Sequence, residues 1–360
     1  MRFLFVVQGE GRGHMTQAIS LSQMLVARGH EICAVCVGRS RLRTIPQFFV
    51  DRIGAPITTY GSPTFKTDPS RRGVSLLGTA LDNFIRLPAF ARGVRTLHQT
   101  VTRHKPDVVV NFFDPLAAIY GLLFRSRPTM MCIGHQYLLL HPDFVFPKIS
   151  RFARLALVLY IRFCALGSER ILALSFRKMP SIPNRKLSVV PPLLRKELRH
   201  MNPVTEDFIL AYVLNDGYAN DIASQQRRFP DVSVVGFWDR KGAAEETWLQ
   251  ENLLFRQLND VAFLDAMNRC RGLMSTAGFE SICEAMYLGK PVYMVPANRQ
   301  VEQHCNALDG STSGAGIWGP DFDLERFLDY VPHHRNNSAE FRSWADSGEP
   351  TYSHVFERLT

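Results

Sequence analysis

Long hydrophobic runs are missing from this 360-residue chain. The longest strongly apolar stretch away from the start, Leu155 to Ile161, is far short of the ~20 residues a membrane-spanning helix needs. The opening Phe3-Leu4-Phe5-Val6-Val7 runs straight into Gln8-Gly9-Glu10. It lacks the roughly 7–15 apolar residues and small-residue cleavage site of a secretory signal, and reads as a buried first strand. The expectation is a cytoplasmic protein, lying at most peripherally on the inner face of a membrane. Cysteine patterning is missing as well. The seven cysteines are scattered, and Cys33 and Cys36 sit inside the strand-like run Glu31 to Val37 with no second pair at metal spacing. They read as buried thiols in a reducing compartment. His333-His334 has no carboxylates at ligand spacing, so no metal and no cofactor is expected. Repeats, low-complexity stretches and helix-turn-helix, finger or ribonucleoprotein motifs are lacking too, and nucleic acid is not an expected partner.

What is present suits two globular units. Hydrophobic residues make up 46% of the chain, enough for two cores at this length. The start reads strand (Arg2 to Val7), loop (Gly9 to Gly13), helix (about His14 to Ala27, stopped at Gly29) and strand (Ile32 to Val37). That order implies a parallel sheet with right-handed crossovers. Strands at 107–111, 129–133 and 187–190 would complete the unit. Pro191-Pro192 begins a charged stretch through Pro203 that reads as a linker. The alternation then restarts, with strands at 208–214, 232–237, 253–258, 272–275 and 291–295 and a turn at Asn215-Asp216-Gly217. We expect α/β architecture: a domain over 1–190, a linker over 191–203, a second domain over 204–322, and a segment 323–360 crossing back to the first. In such pairs ligands sit at the carboxyl ends of strands, in the cleft between units.

The most specific signal lies in residues 274–316. Met274-Ser275-Thr276-Ala277-Gly278-Phe279-Glu280-Ser281 leads through Glu284-Ala285 to Gly289-Lys290-Pro291, then Glu302-Gln303-His304-Cys305-Asn306-Ala307, then Gly314-Ala315-Gly316. Physically this is a strand end, a turn at Gly278 and a helix from about Glu280 to Tyr287. Free N–H groups and the positive helix end at Phe279 to Ser281 suit a diphosphate. The Ser281 hydroxyl adds a contact, and the Glu284 carboxylate, one turn on, can accept from two ribose hydroxyls. The second signal is Gly9-Glu10-Gly11-Arg12-Gly13-His14, a glycine loop between strand and helix but not a dinucleotide fingerprint.

These stretches resemble the GT-B glycosyltransferases, both the UDP-glycosyltransferases and the lipid-linked N-acetylglucosaminyltransferase of peptidoglycan synthesis. The resemblance implies two Rossmann-like α/β/α domains facing across a cleft, with the first binding the acceptor and the second the donor. It implies a UDP-sugar or other nucleotide-sugar donor and inverting transfer to an acceptor hydroxyl, lipid-linked in one branch. By the same resemblance Gly278 and Ser281 would hold phosphates, Glu284 the ribose, and Glu302 and Gln303 the sugar, with Gly13, Thr276 and Phe279 beside them. His14 would be the general base, a task its ordinary pKa of ~6.5 suits. Asp114, in Asn-Phe-Phe-Asp-Pro, either orients that base or caps a helix opening at Pro115. Glu10, Arg12, His135 and Gln136 are further cleft candidates. The plant enzymes usually carry His where Thr276 stands and Asn where Glu280 stands, and a Glu280 carboxylate beside a diphosphate would repel it unless turned away. Two rival functions stay open, a nucleotide-sugar epimerase or hydrolase and a non-catalytic nucleotide-sugar-binding protein.

Charge placement adds one expectation. From Lys148 to Arg199 there are twelve Lys/Arg and two acidic residues, a balance of +10 in a chain whose total is +9. On a helix Lys148, Arg151, Arg154 and Arg162 fall in one arc beside a wide apolar face. Such a segment either packs as core with an arginine edge or rests on an anionic membrane.

Overall fold

Alternation along the first strand decides the architecture. In β1 (Arg2–Gln8), Phe3, Phe5 and Val7 enter one buried cluster while Leu4 and Val6 enter another. Successive strand side chains point to opposite faces, so this strand lies inside a sheet covered by helices on both sides. The computed structural model describes all residues except 40–43, 65–75, 125–127, 214–215 and 358–360, and it has that form. Leu214 and Asn215, expected at a strand end and turn, lie outside the described residues.

The first sheet contains β1, β2 (Glu31–Arg39), β3 (Ile57–Gly61), β4 (Val108–Phe112), β5 (Thr129–Gly134), β6 (Arg170–Leu174) and β7 (Leu187–Val190). All pairs are parallel, in the order β3-β2-β1-β4-β5-β6-β7. The second contains β8 (Phe208–Val213), β9 (Ser233–Trp238), β10 (Glu246–Gln250), β11 (Leu253–Gln257), β12 (Gly272–Thr276), β13 (Val292–Val295) and β14 (Gly316–Trp318). Its order is β10-β11-β9-β8-β12-β13-β14, with only β10 antiparallel. Sequence patterning does not mark β3, β6, β10 and β14. β3 and β10 are half-exposed edges, β6 opens on Arg170 inside the basic block, and β14 spans only three residues.

Strand order reverses between β1 and β4 and between β8 and β12. Crevices at the carboxyl ends of strands beside such switch points are where open α/β sheets bind ligands. The Gly9–Gly13 loop follows β1 and the Gly278 turn follows β12, so both motifs open into such a crevice.

The return to the first domain starts later than residue 323. The Leu324–Tyr330 helix still packs on the second sheet, with Leu324 and Phe327 in its core. The last two helices, Ser338–Asp346 and Gly348–Glu357, make the crossing. Trp344 donates its indole N–H to Ser175 O at 2.9 Å, Tyr352 donates its hydroxyl to Pro191 O at 2.6 Å, and the Phe356 ring meets Phe3 edge-on at 5.4 Å.

Candidate active site

Two helices start at glycines and leave their N-termini without a side-chain cap. The Arg12–Ala27 helix begins after Gly11, and the Phe279–Tyr287 helix after Gly278. The first-turn N–H groups of a helix have no partner within it and carry its positive dipole end. Both ends border one cavity of about 610 Å³ between the two sheets.

Residues of both expected domains meet there. From the first come Arg12, Gly13, His14, His135 and Gln136. From the second come Gly278, Phe279, Ser281, Glu284, Glu302 and Gln303. Glu10, Asp114 and Thr276 do not line it. Glu10 instead turns back, its N–H donating to Gln8 Oε1 at 3.1 Å. Ser281 donates its hydroxyl to Gly278 O at 3.2 Å, and Gln303 accepts from Ala297 N–H at 2.7 Å.

His14 is half-buried at the first helix N-terminus. Its Nδ1 lies 3.3 Å from Gln17 Oε1, and its Nε2 lies 3.4 Å from Gln136 Nε2. An amide oxygen only accepts and an amide nitrogen only donates, so the proton belongs on Nδ1 and Nε2 keeps its lone pair. Removal from water depresses the imidazole to about 4, against the weaker opposing bond with Gln17. The ring is neutral near pH 7. Phe113 stacks beside it at 6.0 Å with left-handed backbone, φ 63°, rare for a bulky residue.

Of the two roles left open for Asp114, the geometry shows the helix cap. Its carboxylate is fully buried and accepts from Leu116 N–H at 2.8 Å, capping the Pro115–Leu123 helix. Burial raises it to about 6 despite bonds that favour its charge. Gln17 holds the imidazole instead. One helical turn from His14, it could have been found by asking what an i+3 neighbour offers a helix-start histidine.

Glu284 is 2% exposed, and both its oxygens are taken. Arg195 Nε donates at 2.5 Å and Nη2 at 2.7 Å, a two-pronged ion pair. Arg195 also donates to Asp260 O at 3.0 Å. Sequence reasoning missed Arg195 because it lies in the linker, where only tertiary contact singles it out. A carboxylate has about four lone-pair positions, so the pair leaves room for ribose hydroxyls.

The remaining candidates divide. His135 stacks on Phe279 at 4.0 Å and donates Nδ1–H to Leu174 O at 2.8 Å. Burial lowers its pKa, leaving a neutral wedge beneath the Phe279–Tyr287 helix. Gln136 donates to Glu302 Oε1 at 3.0 Å, a contact between the sheets, and burial raises the Glu302 carboxyl. Lys148, Arg151, Arg154 and Arg162 are all exposed. The Arg151–Cys164 helix carries the last three and buries only Ile161 and Cys164, while Phe152 is 81%, Leu155 56% and Leu159 53% exposed. The same helix puts Ala153, Ala156, Leu157 and Tyr160 on the cavity wall. Among the described residues no group of three His, Cys, Asp or Glu is placed to hold a metal. One Asp-x-Asp does occur, at Asp321-Phe322-Asp323, away from the cavity, where Asp323 caps a helix by accepting from Arg326 N–H at 3.0 Å.

Two Rossmann-like domains with helix N-termini and a histidine around one interdomain cavity define the GT-B glycosyltransferase architecture. Comparison agrees and adds the family. The glycosyl transferase family 1 profile matches residues 1–333, and the chain belongs to that family. The curated UDP-N-acetylglucosamine–N-acetylmuramyl-(pentapeptide) pyrophosphoryl-undecaprenol N-acetylglucosamine transferase of Thermotoga petrophila is 21% identical over 62% of this chain. The match spans 63% of that relative's length. Among solved structures, the kitacinnamycin glycosyltransferase superposes with a TM-score of 0.65 at 16% identity, covering 99% of this chain and 98% of that one. Phytolacca americana UGT2, solved with UDP-2-fluoro-glucose and pterostilbene, gives 0.61 at 10% identity over 99% of both chains. At such identities these likenesses establish the fold.

Proposed function

We propose that this chain transfers a sugar from a nucleoside-diphosphate sugar, UDP-linked by preference, to an acceptor hydroxyl with inversion and without a catalytic metal. The observation that carries the reading is the cavity itself, with a neutral histidine on one wall and an uncapped helix N-terminus beside a buried carboxylate on the other. Nε2 of His14 takes the acceptor proton as the acceptor oxygen bonds to the anomeric carbon. The bond from that carbon to the diphosphate oxygen breaks, and the leaving diphosphate keeps the electron pair. The N–H groups at Phe279 to Ser281 and the helix dipole stabilise its charge. The names of the Thermotoga relative and of the Phytolacca complex, both with UDP-sugars, support the donor class.

For the acceptor we favour a lipid-linked hydroxyl at an anionic membrane surface. The exposed Phe152, Leu155 and Leu159, flanked by Arg151, Arg154 and Arg162, lie on the helix that walls the cavity. A lipid chain in the bilayer could thus present its headgroup to the site. The undecaprenol acceptor in the Thermotoga relative's name points the same way. No helix of the described residues is long and apolar enough to cross a membrane, so contact would be peripheral.

The test is calorimetric titration with UDP, followed by product analysis of UDP-sugars with and without acceptor. Glu284→Gln keeps the packing but removes the charge offered to ribose. Charge-assisted hydrogen bonds contribute about 1.5–3 kcal/mol, so UDP affinity should fall at least about tenfold. Transfer should survive EDTA. Sugar released at equal rate without any acceptor would favour hydrolysis, and unchanged UDP affinity would remove Glu284 from the site.

A further inference from the structure

Glu280 stands in the donor crevice in an unusual condition. It occupies the first turn of the Phe279–Tyr287 helix and lines the cavity, yet is only 8% exposed. One oxygen, Oε1, accepts from Gln17 Nε2 across the domain interface at 2.6 Å. The other, Oε2, is buried with no hydrogen-bond partner. Gly13, in the first turn of the Arg12–Ala27 helix, eases this approach, because a Cβ there would stand a tight 3.2 Å from Glu280 Cγ. An unpartnered polar atom at such a place costs free energy unless a ligand meets it. As a carboxylate it would repel the diphosphate that the same helix end attracts. As a carboxylic acid it has an O–H to give.

We propose that Glu280 serves as a neutral carboxylic acid in the donor site, donating its Oε2–H to a phosphate oxygen of the bound nucleoside diphosphate. The inference rests on the donor reading above and deepens it. Gln17 makes the arrangement specific. Its amide oxygen takes His14 Nδ1–H and its amide nitrogen serves Glu280 Oε1, so the proton of Glu280 is left to Oε2. The base of one domain and the acid of the other are thus set by a single amide.

The charged surroundings agree in sign. Burial is the largest influence and raises the Glu280 carboxyl to about 8, the Gln17 bond opposes it, the Glu284 carboxylate adds to it, and the Arg195 guanidinium opposes it. From other elements His14, neutral above about 4, faces it through Gln17, and Tyr352, whose hydroxyl titrates well above its ordinary range, lies within electrostatic reach. A diphosphate bringing further negative charge raises the carboxyl again. Nucleotide binding at pH near or above 8 should therefore take up a proton.

UDP titrations in buffers of differing ionisation enthalpy, from pH 7 to 9, read this directly. The wild-type protein should take up a fraction of a proton that grows with pH, and its affinity should weaken several-fold to about tenfold across the range. Glu280→Gln keeps a donor that cannot ionise, so it should lose both the uptake and the extra pH dependence. The ligand's own ionisations are common to both proteins. Wild-type binding without proton uptake, or with the same pH profile as Glu280→Gln, overturns the proposal while leaving the donor site standing. Failure of the wild-type protein to bind any nucleoside diphosphate overturns both.

Discussion

Single side chains in the cavity differ in protonation state, and the proposed mechanism assigns their work accordingly. His14 is useful as a base only when neutral, and its depression to about 4 keeps it so through ordinary pH. The sign follows from the direction of the shift. The neutral form dominates above the lowered value and is lost only as pH falls through it, so kcat/KM should stay flat from pH 7 down to about 5. An unperturbed imidazole would already bend the profile near ~6.5. His14→Ala should cost about 10²–10⁴-fold in turnover and leave UDP affinity nearly unchanged, because the proposed function places the main nucleotide contacts on the other domain. A mutant near normal turnover, or a wild-type bend at pH 6.5, would remove the base role. At this scale much was legible. The Gly-His at the end of the first loop is singled out by resemblance and the order Gly278, Ser281, Glu284 by its strand, turn and helix spacing, and the fold sets them all on one cavity. Gln17 and Arg195 did not, because a glutamine on a helix and an arginine in a linker acquire meaning only from what folding brings against them. Asp114 was readable two ways, and only the buried carboxylate bonded to Leu116 N–H decides that it caps.

Among the elements, the Arg151–Cys164 helix is the one that sequence left undecided. Arginines beside an apolar run fit a core helix with a charged edge as well as a surface helix. The distinction depends on whether a neighbour covers Phe152, Leu155 and Leu159, which no local pattern states. In the fold they stay open to solvent. Replacing all three by Ser should change stability little, since substitutions away from packed features fall within about ±0.5 kcal/mol each. It should weaken sedimentation with anionic vesicles, as should changing Arg151, Arg154 and Arg162 to Gln, and high salt should weaken the wild-type binding. Wild-type protein remaining in the supernatant with anionic vesicles at low salt would end the membrane reading. By contrast, the Phe279–Tyr287 helix was legible almost to its ends, because a glycine turn, a following apolar pattern and the Gly289-Lys290-Pro291 stop all agree.

For the whole molecule, the sequence spoke for two α/β units but not for how they are held face to face. Among the described residues, polar ties across their cleft include Gln17 to Glu280, Gln136 to Glu302, Arg177 to Asp309 at 2.6 Å and to Ser313 at 2.7 Å, and Arg52 to Asp260 at 3.0 Å. The C-terminal helices add apolar contacts to the His135–Phe279 stack. Phe341 sits in the core beside the second domain's Phe279–Tyr287 helix, and Tyr352 and Phe356 reach the first, all within one buried cluster. Truncating a buried Phe typically costs about 3–5 kcal/mol. Phe356 is 3% exposed against Phe3 of β1, so Phe356→Ala should lose stability of that size. Where the loss falls is informative, because a two-domain chain need not unfold in one step. If the last helix mainly completes the first domain, hydrogen exchange in the mutant should quicken at β1 and β4 while β8 and β12 keep their protection. The polar ties and the His135–Phe279 stack would then couple the two sides of the cleft without the last helix, leaving it freer to open and close. Equal loss of protection in both sheets would mean instead that the C-terminal helices bind the domains into one cooperative unit, and opening would have to proceed by bending within the linker rather than by release of that contact.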